Sequence, residues 1–500
     1  MRTCQFRIRS TTGLSGDTPG TRERLRFHRV RGAAHSAVIL TQGQTRWSIP
    51  LPHKVPNSLF ISSLARAMLA GEMSIDRIVL RCTQLTGRRW RWLRPLAHRY
   101  LETFGVQARP RHQEVVQFLA ADTHFQDALH RYAAELRIET WLHPPQRMQP
   151  VEAASSWKLP IIESAGALAH WLRLDLAELE WFADLKGLTR KTRNARLTHY
   201  NYRILAKKSG NIRLGNIRLI EAPKAHLKQM QRQILSEILN RIPPHPAAHG
   251  FVPGRSIQTF VSPHVGRHIV LRMDLQDFFP SISGPRVQAA FRTAGYPEHV
   301  ADLLGGICTT ATPQDVWRDH VKLVEPALIT GAHQLYGLPH LPQGAPTSPA
   351  LANICAYRVD CRLKGLAVSA NAEYTRYADD LAFSGDRRFA AGIQSFAAQA
   401  AAILFEEGFS VHHRKTRIMR QGVRQYLAGL VTNQRINIVR ADFDRLKAIL
   451  TNCVHLGPAT QNRDSHSNFQ AHLEGRVAFV ESVNAAKGQR LRRIFNQIRF

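Results

Sequence analysis

Five hundred residues leave room for roughly two to four domains, and a hydrophobic share of 44% is ordinary for a globular protein. Sixty-eight Lys and Arg against 37 Asp and Glu give a formal net charge of +31, which points to a polyanionic partner, nucleic acid before an anionic membrane. Six scattered cysteines without a CxxC pair, an N-terminus (MRTCQFRIRSTTGLSG) with no apolar stretch, and no run of about 20 apolar residues argue against a zinc site, a disulfide framework, a secretory signal and a membrane span, and fit a reducing cytoplasm.

Residues 1–45 are basic, contain Gly, Ser and Thr, and show weak periodicity, so they read as a mobile arm or tail. Residues 46–150 form a helical N-terminal region. Within it Ser58–Leu69 carries apolar residues at three- and four-residue spacing, and Gln113–Tyr132 continues the helical pattern. Gly87–Pro95 interleaves arginines with Trp90 and Trp92. Either the pair stacks on nucleic-acid bases, or it is core with solvated arginines around it. His143–Pro150 reads as a linker, because consecutive prolines break helix and strand alike.

Helices resume over Ala153–Ala183, where Leu168, Trp171, Leu172, Leu176 and Leu179 give an apolar face. From Leu185 to Ile220 there are ten Lys or Arg and no acid, a nucleic-acid surface rather than a solvated face. Inside that run, Arg203–Ile220 predicts strand, turn, strand, with Lys207, Lys208, Arg213 and Arg218 around the turn. Leu227, Met230, Ile234 and Ile238 mark a helix that Pro243-Pro244 ends. Ala248–Ile257 is a loop bent by Gly and Pro that carries Arg255. Ile269–Met273 is an apolar strand leading into Asp274, Phe278 and Phe279.

Ala301–His333 is helical and loop-like, and Leu338–Asn353 is turn-rich before a helix to Leu363. Beyond it lies YTRYADDLAFS, residues 374–384, with strand-like flanks on either side of Asp379 and Asp380. The two acids read as the tip of a β-hairpin. Adjacent carboxylates repel, so holding two of them close makes sense around a divalent cation, and hard oxygen ligands suit Mg²⁺. A plain acidic turn is the other reading, since Asp favours turns. Asp274, at the end of a strand able to lie beside this hairpin, brings a third carboxylate and favours the metal site. Phe389–Phe405 is an Ala-rich helix, Gly408–Thr416 a strand ending in basic residues, Gln425–Thr432 a short buried strand, and residues 441–500 two or three helices.

The order of a basic strand pair, GFVPGRSI, MDLQDFFPSI, LPQGAPTSPALAN, YADD, HHRKT and LAGL resembles the sequence blocks of reverse transcriptases over residues 199–440, nearest to bacterial enzymes of the retron and group II intron lineage. The resemblance implies an α+β right-hand polymerase, with fingers and palm in 151–440 and a helical thumb in 441–500. By that likeness Asp274, Asp379 and Asp380 carry two Mg²⁺, with the Leu275 carbonyl as an extra ligand. Phe279 blocks a 2′-hydroxyl and so favours deoxynucleotides. Gln343, Arg218, Lys207, Lys208 and Lys415 serve the incoming nucleotide. Tyr377 and Gly429 lie at the primer, and Arg255 supports template or fingers structure rather than chemistry. Two departures stand out. His264 follows Phe-Val-Ser-Pro instead of the retron Asn-Ala-x-x, so it contacts RNA or is a structural loop histidine, and Leu-Ala-Gly stands where retrons carry Val-Thr-Gly.

The implied function is RNA-directed DNA polymerisation on an RNA template with a nucleic-acid primer and dNTPs. A cognate structured noncoding RNA, an effector protein and a role in antiphage defence follow from lineage alone. The competing reading is an RNA-binding, maturase-like protein with a vestigial site; the intact Asp274, Asp379, Asp380, Gln343 and Phe279 argue against it. A basic membrane-surface protein lacks the amphipathic helix it would need.

Overall fold

The computed structural model describes residues 57–105, 110–140, 146–192, 194–206, 217–318 and 334–500. The arm over 1–45, Lys207, Lys208 and Arg213 lie outside the described residues, as does part of the linker reading at 143–150.

Five helices, α1 (Asn57–Leu69), α2 (Ile75–Thr86), α3 (Leu93–Phe104), α4 (His112–Ala121) and α5 (Thr123–Arg131), close around a core of their own. Gly87, at φ 66°, ends α2 in the left-handed conformation that glycine adopts freely. The helix expected over 113–132 is broken at Asp122. Its carboxylate accepts from Phe125 N at 2.7 Å and takes both arms of Arg99 at 2.6 and 2.8 Å, so local capping wins over helix continuation. Trp90 is buried against Tyr132, and Trp92 packs on Phe125. The tryptophan pair is therefore core, and the base-stacking reading fails. This helical layer meets the next through Arg111, which pairs with Asp302 at 2.8 Å and also reaches Gln288, and through His112 N, which donates to Glu298 at 2.8 Å.

Strands β1 (Tyr200–Ala206) and β2 (Ile217–Pro223) pair antiparallel, from Tyr200 opposite Pro223 to Ala206 opposite Ile217. The helix before them, Leu176–Ala183, starts with a capping box between Asp175 and Glu178, and Leu179 and Ala183 face the core. Leu176, expected on that apolar face, is exposed.

The central sheet is built from β3 (Ile269–Gln276), β4 (Glu373–Tyr377), β5 (Asp380–Gly385), β6 (Ser410–Val411) and β7 (Arg417–Arg420). Its order is β4-β5-β3, with β6 and β7 sharing the far edge of β3, and every pairing is antiparallel. Buried on nearly every position, β3 is covered on both faces. The Ala-rich helix divides at Gly392 into Arg387–Ala391 and Ile393–Glu406. The strand expected over 408–416 shrinks to β6, because a 3₁₀ turn over His413–Lys415 takes its basic end.

A small antiparallel sheet of β8 (Tyr426–Leu427), β9 (Leu430–Val431) and β10 (Asn437–Ile438) follows, then the helices Arg440–Leu456, Phe469–Val483 and Ala485–Phe495. Their core includes Val270 of β3, Ala382 of β5 and Phe260, so these helices pack onto the sheet.

Behind the hairpin of β4 and β5 lies a fully buried ion pair. Arg376 Nη2 and Nε reach Asp360 at 2.6 and 2.8 Å, and Tyr374 Oη donates to the same carboxylate at 2.7 Å. Burial works against the Arg376 charge, and the attraction of Asp360 more than offsets it, so the guanidinium is held above its usual pKa. Asp360→Ala leaves a buried cation without its partner and is expected to cost about 3–5 kcal/mol. Adding Arg376→Met to it should restore part of that loss; guanidinium denaturation of the two variants checks both.

Candidate active site

The hairpin turn has two residues. Tyr377 pairs with Asp380, and Ala378 and Asp379 lie between them. Ala378 takes φ 55°, a left-handed conformation that costs a non-glycine residue on the order of 1–2 kcal/mol. What over-determines it is visible on both sides. Arg376 Nη1 donates to Ala378 O at 3.2 Å, and Gly250 lies so close that a Cβ there would stand 2.6 Å from Ala378 N. A glycine is required at 250 for that approach.

On the other side, β5 pairs with β3 so that Asp380 stands opposite Asp274, and Leu275 N donates to Asp379 O at 2.9 Å. Three acids from two neighbouring strands and their turn are thereby brought together. Asp274 is buried, and Lys415 Nζ sits 2.9 and 3.2 Å from its oxygens. Asp380 Oδ1 accepts from Arg272 at 2.7 and 2.9 Å. Burial, then the charges of Asp380 and Asp274, push the Asp379 carboxyl up to about 6. Burial raises Asp380 too, against the pull of Arg272.

As oriented, the three carboxylates do not share one point: among the described residues no group of three or more His, Cys, Asp or Glu side chains is placed to hold a metal. The donor chemistry nonetheless fits a divalent cation. All three side chains are hard oxygen ligands, burial and then their mutual repulsion push the Asp379 carboxyl up to about 6, and Asp274 and Asp380 each already draw a cation. Leu275, between Asp274 and Gln276 on β3, places its main chain beside them.

The remaining sequence candidates divide. Phe278 is buried against Phe409, while Phe279 is only partly buried and faces Phe251, their ring centroids 6.0 Å apart. Tyr377 is half-buried between Phe251 and Phe260. Gln343 is held by its carbonyl, which accepts from Glu221 N at 2.9 Å, and thus joins its loop to β2. Arg218 lies exposed on β2, three residues before Glu221. Arg255 donates to Ala248 O at 2.8 Å and to Pro246 O, so it braces its own loop. Gly429, at φ 90°, and Ala428, at φ 43°, form the two-residue turn between β8 and β9, away from the acids along the chain. His264 is buried, with its ring nitrogens 2.7 Å from Ser384 Oγ and Thr375 Oγ1, and burial pushes its pKa down to about 3. It is a structural histidine clasping β4 to β5, and the RNA-contact alternative fails.

Three groups escaped sequence reasoning. Glu221, the first acid after the ten-cation run, is buried, accepting from Thr312 Oγ1 at 2.7 Å and facing His340 Nε2 at 2.9 Å; His340 Nδ1 in turn lies 2.7 Å from Leu338 O. A lone acid closing so basic a run is its signal. Asp360 was readable as an acid on the apolar stripe of Val359, Leu363 and Ala367. Asn353 carries no such mark. Its amide joins Gly250 O at 2.9 Å, and its oxygen accepts from Arg376 at 3.0 Å.

Comparison with known proteins gives the family. The family model for reverse transcriptase (RNA-dependent DNA polymerase) matches residues 205–435. The retron Mx162 reverse transcriptase of Myxococcus xanthus is 35% identical over 370 residues, 71% of this chain and 70% of that one. The chain belongs to the reverse transcriptase family. The retron Mx65 reverse transcriptase of the same organism is 40% identical over 298 residues, 60% of this chain and 64% of the relative, so that match spans just under two thirds of the relative. The retron Ec86 reverse transcriptase of Escherichia coli is 29% identical over 299 residues, 58% of this chain and 79% of the relative. These relatives place this reverse transcriptase in the bacterial retron lineage despite its two departures from retron signatures, and its fold is the right-hand polymerase fold of the family. Among the described residues no helix is long and apolar enough to cross a membrane.

The Asp379 carboxyl, ordinarily near 3.8, sits at about 6 in the folded chain without metal. That fold therefore takes up a proton as it forms. The resulting stabilisation is complete below about pH 4 and lost as pH rises through about 6. Asp379→Asn should stabilise the metal-free protein at pH 7.5 by on the order of 3 kcal/mol, at ~1.4 kcal/mol per unit. The same change should reduce the extra stabilisation that added Mg²⁺ confers. Thermal melts in chelator and in Mg²⁺ check both expectations.

Proposed function

We propose that this chain is an RNA-directed DNA polymerase that extends a nucleic-acid primer on an RNA template with deoxynucleoside triphosphates. The observation that carries the reading is the register that puts Asp274 opposite Asp380, with Asp379 at the adjoining turn. Asp274, Asp379 and Asp380, with the Leu275 carbonyl, hold two Mg²⁺. Ions bound there would supply charge to polarise the primer hydroxyl and to neutralise the leaving pyrophosphate in an in-line displacement. The rest of the work is positioning and charge neutralisation by the chain itself. Lys415, half-exposed beside Asp274, is near enough to the acids to meet the departing pyrophosphate. Arg218, exposed on β2, neutralises the triphosphate, a role the family resemblance also gives to Lys207 and Lys208. Gln343 lies by the nucleotide, its loop held to β2 through Glu221. Phe279, the less buried of its pair, stands against the sugar and rejects a 2′-hydroxyl. Tyr377 and Gly429 meet the primer, and Arg255 keeps the neighbouring loop in shape.

By the same reading, residues 151–440 are fingers and palm, 441–500 are the thumb, 46–150 form a helical N-terminal region and 1–45 a basic arm. The retron lineage of the relatives supports a cognate structured noncoding RNA as template, and an effector partner in antiphage defence.

Primer extension on an RNA template in Mg²⁺ tests the function. Wild type should extend with dNTPs and not with NTPs. The Asp379→Asn, Asp380→Asn double variant should bind the duplex yet lose about 10³-fold or more in rate. Synthesis surviving in the double variant would mean the site is misassigned; binding without synthesis in the wild type would favour the maturase-like reading. Phe279→Ala should raise the ratio of ribonucleotide to deoxynucleotide incorporation by about tenfold or more, read as single-nucleotide addition.

A further inference from the structure

Phe251 is unusual on three independent counts. Its backbone is left-handed, at φ 62°, where an aromatic residue is rare and strained. The residue is 47% exposed, although it carries one of the larger apolar side chains. That ring is also not isolated: its centroid lies 6.0 Å from Phe279 and 6.4 Å from Tyr377. A single exposed aromatic needs no explanation. A strained one, completing a row of three next to a catalytic turn, does.

The loop that presents it is held from every side. His249 N donates to Arg376 O at 2.7 Å, Gly250 O accepts from the Asn353 amide at 2.9 Å, and Arg255 N donates to Val252 O at 3.1 Å. Gly250 packs against the backbone of Ala378. The residues around Phe251 are thus tied to the turn that carries Asp379, while the ring itself is left facing outward. Strain maintained in this way, by surroundings that over-determine it, clusters at ligand sites.

We infer that Phe251 is an aromatic platform for the terminal base of the primer–template duplex. This rests on the proposed polymerase site. Tyr377 leads into the acids that meet the primer hydroxyl, and Phe279 faces the sugar of the incoming nucleotide; Phe251 touches both rings and so lies at the boundary between the two. A neutral ring there suits a base rather than a phosphate. Contact through its face is independent of sequence, as copying an arbitrary template requires. Phe251 is a substrate-positioning residue in this account, and it moves no proton.

Glycine is the residue that fits φ 62° without strain, so Phe251→Gly removes the ring while easing the backbone. Phe251→Leu keeps the bulk and removes only the aromatic face, which guards against a folding defect in the first variant. The probe is a DNA primer ending in 2-aminopurine, annealed to an RNA template, bound in chelator. With wild type, the fluorophore's emission should change on binding. Both variants should lose most of that change and bind the duplex about tenfold more weakly by anisotropy, with Phe251→Gly melting no lower than wild type. Wild-type emission and affinity in both variants, or no emission change with wild type, would overturn the inference. The readout needs no turnover, so a chain that binds but never copies fails the polymerase reading in the extension assay and is still tested here.

Discussion

One buried cation holds the site together. Arg376 is fully enclosed, and its guanidinium donates to Asp360 on one helix, to Asn353 on another and to the carbonyl of Ala378 in the hairpin turn. Its own main chain bridges the loop before Phe251, through Ala247 O and His249 N. Asn353 extends the chain of contacts to Gly250. Two helices, the hairpin turn and the loop before Phe251 are thus referred to a single residue. A buried charge is tolerated only when its partners are complete, so these partners cannot relax independently. That rigidity is what keeps Ala378 left-handed and Asp379 in place.

Charge is arranged in layers around this anchor. The inner pair is closed and neutral. Nearer the surface, Asp274 and Asp380 each lean on a cation that is itself partly exposed, Lys415 and Arg272, while Asp379 has none and is the acid most strongly raised. A site that draws cations to two of its three carboxylates and raises the pKa of the third is short of positive charge. Under the proposed function, divalent ions would supply that charge to the acids.

Much of this was legible before any coordinates. The strand pair, β3, the hairpin and its acids follow from strand-like composition and from the order of short motifs. The failures have local physical causes. A helix expected through Asp122 stopped because that carboxylate capped the next one. His264, Trp90 and Trp92 carried functional chemistry by residue type, and only the burial of the first two and the packing of Trp92 on Phe125 revealed them as structural. Glu221, Asp360 and Asn353 act through partners 14 to 119 residues away, and such pairings leave little trace in a one-dimensional pattern. Phe251 was inside a recognised loop, yet its strained backbone and outward ring belong to three dimensions alone.

The central claim is that Asp274, Asp379 and Asp380 form one divalent-metal centre. Anomalous diffraction from crystals of the protein with primer, RNA template, dNTP and Mn²⁺ tests it most directly. The account predicts two Mn²⁺ peaks about 3.5–4 Å apart within ligand distance of these three carboxylates, and none in the Asp379→Asn, Asp380→Asn variant. Ordered nucleic acid and nucleotide with no Mn²⁺ at the acids, or with Mn²⁺ bound elsewhere, would contradict it.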